Sequence, residues 1–223
     1  MKTLNRWIIY IIGMLILAMG LTLNTKAGLG VSPIISLSYA VSELWHFNFG
    51  DMTFILYSIF VVGELILHRG RRLFSDLCQL PLSLIFSRVL NLYSALIPYQ
   101  AAEEPFWENF LLLLLAIVCT GIGAAVTVNM KLVPNPGDGI VAAVGEAIHR
   151  EQGIAKNLFD VCCVVSTCVL GLVVSGHIVG VGGGTIAAMI LVGRVISLVN
   201  HLAREKMRAA AGLLEPVMET QTV

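Results

Sequence analysis

Six stretches of this chain run almost free of charge: Trp7–Leu23, Met52–Leu67, Leu77–Ile97, Phe110–Asn129, Leu158–Ser175 and Thr185–Leu202, the last interrupted only by Arg194. Each is roughly 16 to 21 residues long, against the about 20 that cross a hydrocarbon core of ~30 Å at ~1.5 Å per residue. Charged residues make up 13% of the chain and hydrophobic ones 57%. A soluble domain carries about 25% charge, so this chain cannot cover a soluble surface of its own and lipid must cover much of it. The expected fold class is an all-α polytopic membrane protein with six transmembrane helices.

The first stretch follows Lys2 and Arg6 and precedes small residues near Ala27, as a signal peptide would. Cleavage is not expected, because a copy of the segment recurs later in the chain. The five cysteines, Cys78, Cys119, Cys162, Cys163 and Cys168, all lie in apolar stretches without metal-ligand spacing to histidine, and read as small packing residues.

An internal repeat organises the rest. Leu21-Thr22-Leu23-Asn24-Thr25-Lys26 matches Val126-Thr127-Val128-Asn129-Met130-Lys131 at an offset of about 105. With one residue of slack in the loop that follows, Ser32-Pro33-Ile34 falls over Asp138-Gly139-Ile140, and Ser87-Arg88-Val89-Leu90 over Gly193-Arg194-Val195-Ile196. Repeat 1 covers about 7–98 and repeat 2 about 109–202, within one transmembrane domain over 1–203. Residues from Ala203 are expected to form a cytoplasmic amphipathic helix to about Leu214 and then a tail, making 204–223 a cytoplasmic extension.

Each half also holds a short helix, about Ser32–Trp45 and Asp138–His149, with cap chemistry at its start: Ser32 before Pro33, and Asp138 after Pro134-Asn135-Pro136-Gly137. About fourteen residues make ~21 Å of helix, too short to cross. Charge supports that count. With six crossings and the N-terminus inside, Lys2, Arg6, Arg69, Arg71, Arg72, Lys131, Arg150, Lys156, Arg204, Lys206 and Arg208 fall on the cytoplasmic side, and the outside receives only Lys26. Three crossings per half then make the two copies inverted.

Inverted repeats with discontinuous helices are a transporter architecture whose substrate site lies near the midplane. The loops Asn24–Val31 and Lys131–Gly137 enter from opposite faces, so both half-helix N-termini can point at the centre with unpaired N–H groups and positive dipole ends. Gly28, Gly30, Gly137 and Gly139 suit such loops. Asn24 and Asn129 recur at the helix–loop junctions, where satisfying loop backbone is their plain role, while Lys26 and Lys131 snorkel to the interface. Arg88 and Arg194 lie inside apolar helices, where a charge normally faces the interior with a partner. They either bind an anion beside the half-helix ends or neutralise an internal acid among Glu64, Asp76, Asp138 and Asp160. Glu64 and Asp160, about one turn from a helix end, read as solvated acids. The expected solute-binding set is Asn24, Gly28, Gly30, Ser32, Arg88, Asn129, Asn135, Gly137, Asp138, Gly139 and Arg194.

Gly180-Val181-Gly182-Gly183-Gly184-Thr185 lacks the lysine and the preceding strand of a nucleotide loop and reads as helix packing or a hinge. Ala27-Gly28-Leu29-Gly30-Val31-Ser32-Pro33, Asn135-Pro136-Gly137-Asp138-Gly139 and the glycine-rich lead to the last helix together resemble the YczE/YyaS/YitT-like bacterial membrane family, over roughly residues 5–203. The resemblance implies a small bacterial plasma-membrane protein with no established substrate. Without the soluble C-terminal domain of the YitT branch, the chain is closer to the YczE-like branch. The expected function is a secondary transporter or exporter of a small anionic or zwitterionic solute, with a channel-like pore or a non-transporting membrane scaffold as the other readings. Neither a catalytic constellation, a metal cluster nor a cofactor is expected. The expected partners are the lipid bilayer and a small-molecule solute, with self-association open and no nucleic acid. The termini are expected in the cytoplasm.

Overall fold

The computed structural model describes residues 2–213. Its elements are α1 (Lys2–Lys26), α2 (Pro33–Trp45), α3 (Phe49–Leu67), α4 (Leu73–Leu77), α5 (Gln79–Leu96), α6 (Phe106–Asn129), α7 (Pro136–Ala147), α8 (Gln152–Ser175) and α9 (Gly183–Ala210), with no strand among the described residues. Six helical runs are long and apolar enough to cross a membrane: Leu4–Lys26, Phe49–Leu67, Leu73–Leu96, Phe106–Asn129, Gln152–Ser175 and Gly183–Ala210. They coincide with the six apolar stretches of the sequence, and the chain is an integral membrane protein. The expected tail from Leu214 lies outside the described residues.

The helix boundaries follow local chemistry. Pro33 and Pro136 occupy the first helical turn of α2 and α7, where a missing N–H costs nothing. The cap of α7 is Asn135, whose Oδ1 accepts from the Gly137 N–H at 3.0 Å. The sequence pointed to Asp138 instead, but Pro136 starts the helix two residues earlier and leaves Asp138 inside the first turn. Both short helices close alike. His46 and His149 adopt left-handed φ of 56° and 53°, and Phe47 N–H donates to Ser42 O while Arg150 N–H donates to Gly145 O, the six-to-one bond of a Schellman ending. Pro81 lacks the N–H that would bond back to Leu77, and α5 accordingly restarts at Gln79 after the five-residue α4. At the other end of the chain α9 runs unbroken through Leu202 to Ala210, so the helix expected from Ala203 forms its last turns.

The bundle is centred on α1 and α6, which pack antiparallel: Gly13 lies against Val126 and Thr127, Gly20 against Thr120 and Ala116, and Gly123 against Leu17, none with room for a Cβ. Small residues let these backbones approach, as membrane helices without a hydrophobic drive between them require. Around that pair, α2 packs on α8 and α3, α7 on α3 and α8, α5 on α1 and α3, and α9 mainly on α6. Exchanging α1 with α6, α2 with α7, α3 with α8 and α5 with α9 reproduces these neighbours, except that α8 and α9 make no contact comparable to that between α3 and α5. Only 6% of the apolar window of α9 is buried, against 56% for α1.

Neither short helix crosses. The second half of α2 shares a pocket with Thr25 and Gly28, so the chain returns to the end it left. In α7, Glu146 lies beside Arg72, 3.0 Å away, at the end where Arg6 donates to the Met130 and Lys131 carbonyls.

Candidate functional site

The N-terminal turns of α2 and α7 meet at the centre of the bundle, where Gly137 lies so close to Ile34 that a Cβ would sit 2.9 Å from its Cγ2. Beside them is a cavity of about 70 Å³. Ser32 and Ile35 line it from α2, Asn135, Gly137 and Asp138 from α7, and Tyr57, Thr120 and Lys156 from the surrounding spans, with Leu17, Leu21, Ala124, Val192 and Ile196 as its apolar wall. The loop before α2 is held by Asn24, whose Oδ1 accepts from the Ser32 N–H. Helix N-termini carry partial positive charge, and two of them meet here beside one small cavity; at α7 the N–H groups of Gly137, Asp138 and Gly139 are already bonded to Asn135.

Two charged side chains line this cavity, Asp138 and Lys156, and a third, Asp160, pairs with the lysine. Lys156 donates to Asp160 Oδ2 at 2.7 Å, one helical turn along α8. Asp160 is fully buried, and its Oδ1 has no partner. Asp138 takes part in none of the ion pairs among the described residues. It lines both the central cavity and a second one of about 180 Å³ that also holds Glu64, His68, Asp76 and Gly139. Gly139 lies directly against Glu64: a Cβ there would sit 2.5 Å from its Oε1 and push the carboxylate aside.

On the opposite side the cavity is closed by backbone. Val31 N–H donates to Gly180 O at 2.9 Å and Gly184 N–H to Leu29 O at 2.7 Å, tying the loop before α2 to the glycine-rich lead of α9. A cavity of about 510 Å³ lies beyond this strap, lined by Gly28 to Val31, Tyr39, Glu43 and His177 to Gly182. Val31 faces that cavity and Ser32 the central one.

The residues singled out in the sequence therefore divide. Ser32, Asn135, Gly137 and Asp138 line the centre, Gly139 the adjoining pocket, and Gly28 and Gly30 the strap. Asn24 supports the loop from a buried position, whereas Asn129 donates to Ala125 O and, at 2.6 Å, to Asn200 Oδ1, tying α6 to α9. Neither arginine lines the cavity. Arg88 donates to Asp51 Oδ1 at 2.8 Å with its side chain 61% exposed, and Arg194 is exposed on α9. The physical reason is helix phase: Ser83, Phe86, Ser87 and Leu90 form the buried face of α5, turning Arg88 aside toward Asp51 at the start of α3. In sequence nothing marks Asp51, 37 residues away on a separate span, as the partner of Arg88.

Glu64 and Asp160, read as solvated acids, are buried. Their burial follows from neighbours that sequence distance hides: α7 covers Glu64, and Lys156 pairs with Asp160. Lys156 was counted only as a cytoplasmic charge. Its signal was available as the Lys156–Asp160 spacing of four within an otherwise apolar helix.

No curated protein and no solved structure matches the chain. A family described as a family of unknown function (DUF6198) matches residues 4–201, nearly the whole bundle that builds the central cavity, and the chain belongs to that family.

Proposed function

We propose that the protein is a secondary transporter or exporter of a small polar solute, held in the central cavity and exposed to the two membrane faces in turn. The observation that carries this reading is the meeting of both half-helix N-termini at one cavity that also contains Asp138 and Lys156. The positive dipole ends of the two helices and Lys156 suit a carboxylate or other anionic group, while Asp138, outside the ion pairs among the described residues, suits an ammonium. Together they favour a zwitterion over a simple anion. A cavity of about 70 Å³ is far below the ~300–1,000 Å³ of a typical small-molecule site, so loading requires the half-helices to separate. The strap on one side and the polar pocket on the other support alternating access rather than an open pore.

In this reading the halves are inverted repeats. The antiparallel packing of α1 on α6, the exchange of neighbours between halves and the matching Schellman endings support it. The protein is a carrier, not an enzyme, of a bacterial inner membrane, akin to YczE-like proteins, with both termini cytoplasmic on the strength of the basic residues at that end. The uncovered face of α9, with exposed Arg194, supports self-association. A thermal-shift screen of purified protein against amino acids and small carboxylates tests the solute class. At least one zwitterion should raise the melting temperature, and Asp138→Asn should remove that shift. Shifts produced only by simple anions and retained in Asp138→Asn would overturn the zwitterion assignment.

A further inference from the structure

Glu64, His68 and Asp76 line the pocket next to the central cavity and, with Gln79 bonded to Glu64, form a second constellation that solute recognition does not use. Glu64 and His68 lie four residues apart at the end of α3, Asp76 is in α4 and Gln79 opens α5. Three are buried, Glu64 and Gln79 at 1% exposed and Asp76 at 2%, and the His68 side chain is 9% exposed. His68 Nδ1 is 2.9 Å from Asp76 Oδ2, and Gln79 Nε2 donates to Glu64 Oε2 at 2.6 Å. These bonds leave Glu64 Oε1, Gln79 Oε1 and His68 Nε2 buried with no partner.

All three orphans are acceptors. In the tautomer in which His68 Nδ1–H donates to Asp76 Oδ2, Nε2 presents a lone pair, and the other two are oxygens. Buried acceptors without donors are costly. The charge is unbalanced as well: a ligand atom each from Glu64, His68 and Asp76 lies within 4.8 Å of the others, yet no lysine or arginine pairs with either carboxylate. Arg72 lines the same pocket but bonds Glu146 at 3.0 Å. A divalent cation satisfies both deficits.

We infer that Glu64, His68 and Gln79 bind a divalent transition-metal ion, with Asp76 orienting His68 through Nδ1. An imidazole nitrogen beside carboxylate and amide oxygens suits zinc, manganese, cobalt or ferrous iron, and the absence of a thiolate disfavours copper(I). The His68–Asp76 bond is the carboxylate–histidine arrangement that fixes the tautomer of metal-binding histidines. Access is through the pocket of about 180 Å³, whose wall includes Asp138, so the ion lies beside the central cavity.

The test is a titration of chelator-stripped, detergent-purified protein with cobalt(II), followed by visible absorption, then displacement by zinc in calorimetry. The site predicts saturable cobalt binding, displacement by zinc, and a zinc-dependent rise in melting temperature. Glu64→Gln and His68→Asn should each weaken binding tenfold or more, and Asp76→Asn by about 10- to 100-fold. Gln79→Glu keeps the shape, adds a charge and should tighten binding, while Glu103→Gln in the Pro98–Asn109 loop should leave it unchanged. Size-exclusion profiles establish that each variant is folded. Absence of saturable binding by the folded parent, or equal binding by folded Glu64→Gln and His68→Asn, would overturn the site, as would binding weakened by Gln79→Glu. The readout needs no solute flux, so it stands or falls apart from the transport reading.

Discussion

Asp138 and Asp160 both sit in the apolar middle of the bundle, but they are held there differently. Asp160 is fully buried and depends on Lys156, one helical turn away. Asp138 has no such partner and opens into two cavities. Removing one member of a buried pair leaves the other charge stranded, a loss on the order of 3 kcal/mol, moderated here because Lys156 is partly exposed. Lys156→Gln should therefore lower the melting temperature in detergent clearly, and adding Asp160→Asn should restore most of the loss. Strict additivity of the two changes would show that the pair is not coupled. At this scale the sequence was least informative. An acid one turn from a helix end looks the same whether water or α7 covers it, and the partner of Arg88, Asp51, lies on a separate span.

The helices themselves were far more legible. Their spans follow from uninterrupted apolar length, and the half-helices from Pro33 and Pro136 at their starts. What escaped was the junction between the loop before α2 and the lead of α9, since residues 29 and 184 meet only in the folded bundle. Gly30 is the critical residue of this strap. Its φ is 110°, and a Cβ there would lie 2.6 Å from Gly182 N. Gly30→Ala should cost on the order of 2 kcal/mol through backbone strain and the clash. Faster deuterium exchange is expected at residues 28–31 and 180–184, with the α1–α6 contact still protected. Unchanged exchange in the strap would show that it does not hold this closure.

For the whole molecule, the two halves place one half-helix on each side of a shared centre, leaving a thin backbone closure on one side and a charged pocket on the other. The similarity between the two loops in sequence pointed to that centre, because two such loops entering from opposite ends meet in the middle. It pointed to Ser32, Asn135, Gly137 and Asp138, which do line the cavity, and also to Arg88 and Arg194, which do not. An offset between sequences preserves position along a helix, but the face a residue presents depends on which neighbour packs there. The α3–α5 contact has no comparable α8–α9 counterpart, so even the paired arginines have different surroundings. In the proposed mechanism this cavity is reached from the two membrane faces in turn. The direct test is Ser32→Cys in reconstituted, oriented vesicles, labelled with a membrane-impermeant thiol reagent from each face after Cys78, Cys119, Cys162, Cys163 and Cys168 are replaced by alanine. Labelling from either face, with a bound solute suppressing both reactions, is the predicted result. Labelling from one face only, whatever the conditions, would contradict alternating access.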